Sequence, residues 1–203
     1  MITLNIKTLG RKIKKMDIPT WNELTVNQFY KLSVLMREKK EAFNIIDYLS
    51  VATGQEYETL YKLKVKNASG LYEVIGTARD YSKIKHKDEL LIGDKIYKVK
   101  EIDELGQRVL VEENFKDKNN EMLVCGILAV ALCIPENNLE LDVKNVNKLY
   151  DEIIESCYLD VLPTGFFLHN RFFNYKRKGM NFSKAFRNTT KIQRLRSKQE
   201  LII

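Results

Sequence analysis

The stretch from Met122 to Ile134 constrains the chain more than any other. Met122, Val124, Cys125, Ile127, Leu128, Val130, Ala131 and Leu132 leave a helix almost no polar side to turn outward. Such a helix either spans a membrane or lies at the centre of a core. This run stops at Pro135, well short of the ~20 residues that cross a bilayer. A central core helix beginning near Asn119 is therefore expected, with no membrane partner. At 203 residues and 44% hydrophobic side chains, the chain has enough material to wrap that helix, as one medium domain or two small ones. Three prolines and nine glycines are too few for a low-complexity or collagen-like chain, and 10% aromatics is too many for a disordered one.

Around this helix the periodicity alternates between classes. Ile2-Thr3-Leu4-Asn5-Ile6-Lys7 reads as a strand, Leu9-Gly10 as a turn, and Lys12 to Ile18 as the return strand, stopped by Pro19. The same alternation leaves no apolar core for a signal peptide. Thr25 and Gln28 have capping-box spacing, and Leu24 is placed to staple onto Phe29. The helix that follows puts Phe29, Leu32 and Met36 on one stripe. A second helix is expected from Glu41 to Thr53, with Phe43, Ile46, Leu49 and Ala52 inward and Gly54 as its stop. A third runs from Tyr57 to about Lys64. From Gly70 the period changes to two, and four strands are expected: Leu71–Gly76, Glu89–Ile92, Lys95–Ile102 and Arg108–Glu112, with turns at Gly93-Asp94 and Leu105-Gly106. Beyond the core helix, Val146 to Cys157 is amphipathic. Leu162-Pro163-Thr164-Gly165 breaks the pattern before an aromatic helix from Phe166.

The charge is uneven. Between Arg171 and Lys198 stand ten basic residues and no acidic one, so the remainder of a chain of net charge +7 is slightly acidic. Two readings compete for this stretch. It could meet nucleic acid, with Phe172, Tyr175 and Phe182 stacking on bases. Or it could dock on acidic protein surfaces, anchored by Phe182, Phe186, Ile192, Leu195 and the apolar Leu201-Ile202-Ile203. A merely solvated tail is the third reading.

Signals for chemistry are weak. Cys125, Cys133 and Cys157 have neither a disulfide-framework pattern nor paired metal-ligand spacing, and they read as small buried hydrophobes in a reducing compartment. His86 lies in the Lys-rich Lys83-Ile84-Lys85-His86-Lys87, and His169 among aromatics; neither has a partner at ligand spacing. Asp151, Glu152 and Glu155 form an acidic helix face of the kind that is usually just solvated. No GxGxxG or GxxxxGK[ST] cradles a nucleotide, and Ser33, Ser50 and Ser183 lack an elbow motif. No catalytic residue, cofactor or metal is expected.

Two segments carry a resemblance. Ile18-Pro19-Thr20-Trp21-Asn22-Glu23-Leu24-Thr25-Val26-Asn27-Gln28-Phe29, followed by Asp47-Tyr48-Leu49-Ser50-Val51-Ala52-Thr53-Gly54, is similar to a pattern in small virion and assembly proteins of tailed bacteriophages of Bacteroidetes. The runs Ile127–Pro135 and Tyr158–Leu168 resemble the downstream part of the same proteins, which include tail-assembly chaperones and the ring, neck or cargo proteins of crAss-like phages. The resemblance implies a subunit of the virion, assembled in the host cytoplasm and most simply a neck or tail ring protein. Its partners would be copies of itself and other virion proteins such as portal or tail components, with DNA the alternative partner of the basic stretch. It carries over no catalytic residue.

The expected fold is α+β: a mainly helical body with an N-terminal β-hairpin, a small antiparallel β insertion and a basic C-terminal arm. The corresponding regions are 1–69 (hairpin and helical unit), 70–116 (insertion), 117–175 (helical core) and 176–203 (arm). Phe182, Phe186, Arg187, Arg194 and Arg196 are the expected protein-contact residues.

Overall fold

The computed structural model describes residues 2–7, 13–62 and 68–177. The fold is mainly helical with two small antiparallel sheets, an α+β architecture. The chain divides into two units, Met1–Leu168 and His169–Ile203, the second represented among the described residues by the last part of one helix.

Strands β1 (Ile2–Lys7) and β2 (Ile13–Ile18) pair antiparallel with Ile2 opposite Ile18, as the alternation predicts. The expected turn at Leu9-Gly10 lies outside the described residues. After a single 3₁₀ turn at Trp21–Glu23 comes α1 (Val26–Lys39), opened by the Thr25–Gln28 capping box. Phe29 and Leu32 are buried, whereas Met36 is exposed and not on the core stripe as expected. α2 (Ile45–Thr53) starts four residues later than the periodicity suggests. Asn44 caps it, and residues 40–42 form a 3₁₀ turn instead of its first coil. It stops at Gly54, whose φ of +69° is the left-handed conformation that favours glycine. α3 (Tyr57–Tyr61) is one short segment that buries Leu60.

Two expected strands are helices. α4 (Ala68–Ile75) replaces the strand at Leu71–Gly76. Leu71 and Ile75 are buried while Tyr72 and Glu73 are exposed, which is i,i+4 spacing and not alternation. α5 (Leu105–Phe115) replaces the strand at Arg108–Glu112. Its buried residues Gln107, Arg108, Val111 and Phe115 lie on one helical face, and Gln107 reaches back to the Glu104 N–H in a capping box. The β content of the 70–116 region is therefore β3 (Glu89–Ile92) and β4 (Lys95–Lys98), joined by Gly93-Asp94 with Gly93 at φ +58°. β4 is half the length expected.

α6 (Asn120–Leu132) is the predicted central helix. Asn119 caps it, and every residue from Val124 to Leu132 is buried. It packs between α5 and α7 (Val143–Ile154). α8 (Tyr158–Arg177) corrects a third expectation, because Leu162-Pro163-Thr164-Gly165 does not break it. Pro163 has no N–H to give the Leu159 carbonyl. Gly165 nevertheless lets the two backbones close up: a Cβ there would stand 2.8 Å from the Val124 carbonyl oxygen.

Candidate interaction surface

The five expected contact residues, Phe182, Phe186, Arg187, Arg194 and Arg196, all lie outside the described residues, as does the arm from residue 178 onward. What the structure does build, it builds around α1 and α8.

Three of the four stretches carrying the resemblance, residues 18–29, 47–54 and 158–168, meet in space. Thr20 and Glu23 form a small capping box, with the Thr20 N–H 2.8 Å from the Glu23 carboxylate, and this turns the chain so that Trp21 packs 5.0 Å from the ring of Tyr48. The Tyr48 hydroxyl donates to the Pro19 carbonyl at 2.7 Å. Burial raises its pKa well above that of an ordinary tyrosine, so it remains a donor. Leu24 and Thr25 then run antiparallel to the start of α8. The Tyr158 N–H donates to the Leu24 carbonyl and the Val26 N–H to the Ser156 carbonyl, both at 3.0 Å, around a bridge between Thr25 and Cys157. One helix turn later, the rings of Phe29 and Tyr158 stack at 4.1 Å. Segments about 130 residues apart in the chain thus share one joint.

Polar side chains of α8 hold down the segment between α4 and β3. The Tyr158 hydroxyl accepts from the Arg79 N–H at 3.0 Å and donates to the Arg79 carbonyl at 3.4 Å. Thr164, fully buried, treats Lys87 the same way, at 3.0 and 3.4 Å. Tyr81 sits edge-on to both Phe29 and Phe166, and burial pushes its hydroxyl up to about 12. His86 stacks on Phe167 at 3.6 Å. His169 tilts against Phe173, and desolvation lowers its pKa while a hydrogen bond with Asn170 opposes the shift. His169 thus has the aromatic neighbour that the sequence suggests, whereas the stacking of His86, read as part of a Lys-rich loop, has no signal in the sequence.

The β3–β4 hairpin offers the clearest apolar surface. Leu91 and Ile96 face each other across the strands and are 63% and 71% exposed, while Leu90, Ile92 and Tyr97 point inward. Glu89 and Lys98 pair across the strands beside them. At Lys98 the outer edge is closed: the Asn137 side-chain amide accepts from the Lys98 N–H and donates to its carbonyl, both at 2.9 Å. That amide does the work of a neighbouring strand.

Asp47, Lys39 and Tyr57 form an ionic cluster. Asp47 is fully buried near the start of α2, accepting from the Asn44 N–H at 2.9 Å and the Tyr57 hydroxyl at 2.8 Å, and pairing with the Lys39 ammonium. Burial alone would raise its pKa; those three donors outweigh it and hold the carboxyl below its ordinary value. The cluster pins the end of α1 to α2 and α3. The Asn44–Asp47 spacing is a legible capping box; its pairing with Lys39 and Tyr57 depends on the turn at residues 40–42 and has no local signature.

Cys125 and Cys133 are buried free thiols, and burial pushes Cys133 up to about 11. Cys157 is half-buried, its thiol against the Asn22 carbonyl. Among the described residues no three of His, Cys, Asp and Glu are grouped to hold a metal ion, and no helix is long and apolar enough to cross a membrane. Comparisons with protein-family models, with curated proteins and with solved structures found no match to this chain.

Proposed function

We propose that the protein is a non-catalytic structural subunit of a tailed bacteriophage virion, a ring protein of the neck or tail that assembles through protein–protein contacts. The carrying observation is that three of the four stretches resembling such proteins, residues 18–29, 47–54 and 158–168, meet at one joint through the Trp21–Tyr48 and Phe29–Tyr158 ring contacts. A likeness scattered over unrelated parts of a fold would mean little; a likeness concentrated in one packing unit supports a shared module. Two further features suit assembly. The Leu91–Ile96 face is apolar and outward, and the basic stretch after Arg171 contains no acidic residue before Glu200. Subunit rings need repeated, partly polar contacts of roughly 1,000 Å² or more.

The test is direct. Mass spectrometry of purified particles should find the chain in stoichiometric amount, and deleting Lys191–Ile203 should leave a folded body that no longer assembles. Absence from mature particles would turn the reading towards a tail-assembly chaperone. The run of basic residues favours a second reading, nucleic-acid binding. Under it, binding to DNA would weaken steeply with salt as counterions are released, and a gel shift showing no complex at moderate salt would dismiss it.

A further inference from the structure

Residues Gly76–Asp88 form a segment of thirteen residues joining α4 to β3. None of its residues is buried, and only Tyr81, Ile84 and His86 are half-buried. A stretch so exposed has little apolar area to keep it in place. Its attachment depends on the Tyr158 hydroxyl at Arg79, the Thr164 hydroxyl at Lys87, an exposed Lys87–Asp160 ion pair at 3.0 Å and the Tyr81 and His86 ring contacts. The side chains outside the segment that make these contacts belong to α1 and α8.

Both ends and the middle are independently built. On one side the Gly76 N–H closes α4 on the Tyr72 carbonyl, with Gly76 at φ +75°. On the other, the Asp88 carbonyl already accepts from the Val99 N–H, the bond adjoining the β3–β4 ladder. In between, Asp80 accepts from the Ser82 N–H and hydroxyl, and the Lys83 and Ile84 N–H groups bond back to Asp80 and Tyr81, so that residues 80–84 hold their own shape. We propose that Gly76–Asp88 is a strap that opens as one unit while the helical core stays folded, uncovering the Phe29–Tyr158 stack and the two hydroxyls of α8. Opening is inexpensive because the hydroxyls and backbone groups it frees regain water.

Residue-resolved hydrogen exchange on the full chain, with Tyr158→Phe and Thr164→Val, tests this. Each variant removes one fastening, so each should accelerate the amides of Lys83 and Ile84 by roughly tenfold. Tyr158→Phe should also speed Lys87, and Thr164→Val should speed Arg79, the far end in each case. The amides of Val124–Leu132 should keep their protection. If each substitution affects only the amide it had bonded, the two ends open separately and there is no strap. If the α6 amides accelerate by the same factor, the segment opens only with global unfolding and the proposal falls. Should the Tyr158 variant fail to fold, the Thr164 variant alone decides between these outcomes.

Discussion

Gly126→Ala is the sharpest test of the packing at the centre of the molecule. In a helix this substitution normally stabilises, because Gly gives up about 1 kcal/mol to Ala in propensity. Here a Cβ at residue 126 would collide with Cγ of Phe115 and lie within 3.0 Å of both its Cδ atoms. The obstacle is the root of a buried ring, and Phe115 itself is held against Tyr150 at 5.3 Å, so it cannot simply swing aside. Overpacking of this kind costs about 3 kcal/mol at the upper end of its usual range, which leaves a net loss of about 2 kcal/mol after the propensity gain. For a chain of this length that is a fall in Tm of roughly 4–8 °C. Gly106→Ala is the matched control. It lies in the first turn of α5 with nothing within 4 Å of the added carbon, and should stabilise by about 0.5 kcal/mol. Urea unfolding followed by helical circular dichroism and by the single Trp21 reads both. In a double-mutant cycle, Phe115→Leu should relieve part of the Gly126→Ala cost, a coupling of about 1 kcal/mol. If Gly126→Ala is neutral or stabilising, or if the two substitutions add independently, the α5–α6 contact is not the close one described.

Other measurements probe the periphery. Asp47→Asn should cost about 2 kcal/mol at neutral pH, since charged hydrogen bonds to Lys39 and Tyr57 are lost. The folded-state pKa of Asp47 lies below its unfolded value, so its contribution is complete above the ordinary Asp value of about 4 and disappears as pH falls through the folded one. Stability curves of wild type and variant should therefore converge in acid; parallel curves would refute the ion pair. A thiol reagent at mildly alkaline pH should modify Cys157 first and leave Cys125 and Cys133 protected until the chain unfolds; equal rates for all three would contradict the burial of α6. Leu91→Ser with Ile96→Thr should change stability by less than about 0.5 kcal/mol yet weaken incorporation into particles, and unimpaired incorporation would remove this face from the proposed assembly contacts.

Much of the fold is legible in the sequence where one signal stands alone. The all-apolar run centred on Ile127 could be nothing but a core helix, and Thr25–Gln28, Asn119 and Gly54 mark the ends of α1, α6 and α2 where the structure places them. Errors fall where two periods fit the same residues. Leu71 and Ile75 satisfy a helix at i,i+4 and a strand at alternate positions equally well, and the β-branched Val74 and Ile75 favour the strand. In α5 the misleading residues are Val109, Leu110 and Val111. The face that is buried carries Gln107 and Arg108, polar residues that a hydrophobicity pattern assigns to water. The Glu104–Gln107 cap was the signal that could have settled it, although Glu is a poor cap by composition. Pro163 misleads in the same manner, because a helix tolerates it when the gain from burying neighbours such as Val161 and Leu162 outweighs one missing bond.

What no periodicity reveals is how the irregular backbone is satisfied. A fold with two-stranded sheets cannot pair its connecting segments in ladders, yet their N–H and C=O groups still need partners wherever water is excluded. This chain meets the requirement with side chains that present a donor and an acceptor together: the Asn137 amide on Lys98, the Thr164 hydroxyl on Lys87 and the Tyr158 hydroxyl on Arg79. The three attachments differ in strength for a physical reason. The amide makes two bonds at 2.9 Å because its two polar atoms are spread like those of a peptide, whereas a hydroxyl serves both roles from one oxygen and holds its acceptor only at 3.4 Å. The hairpin edge at Lys98 is therefore fixed more firmly than the strap at Arg79 and Lys87. Polar residues that look idle in the sequence thus set which surface segments are rigid and which can move.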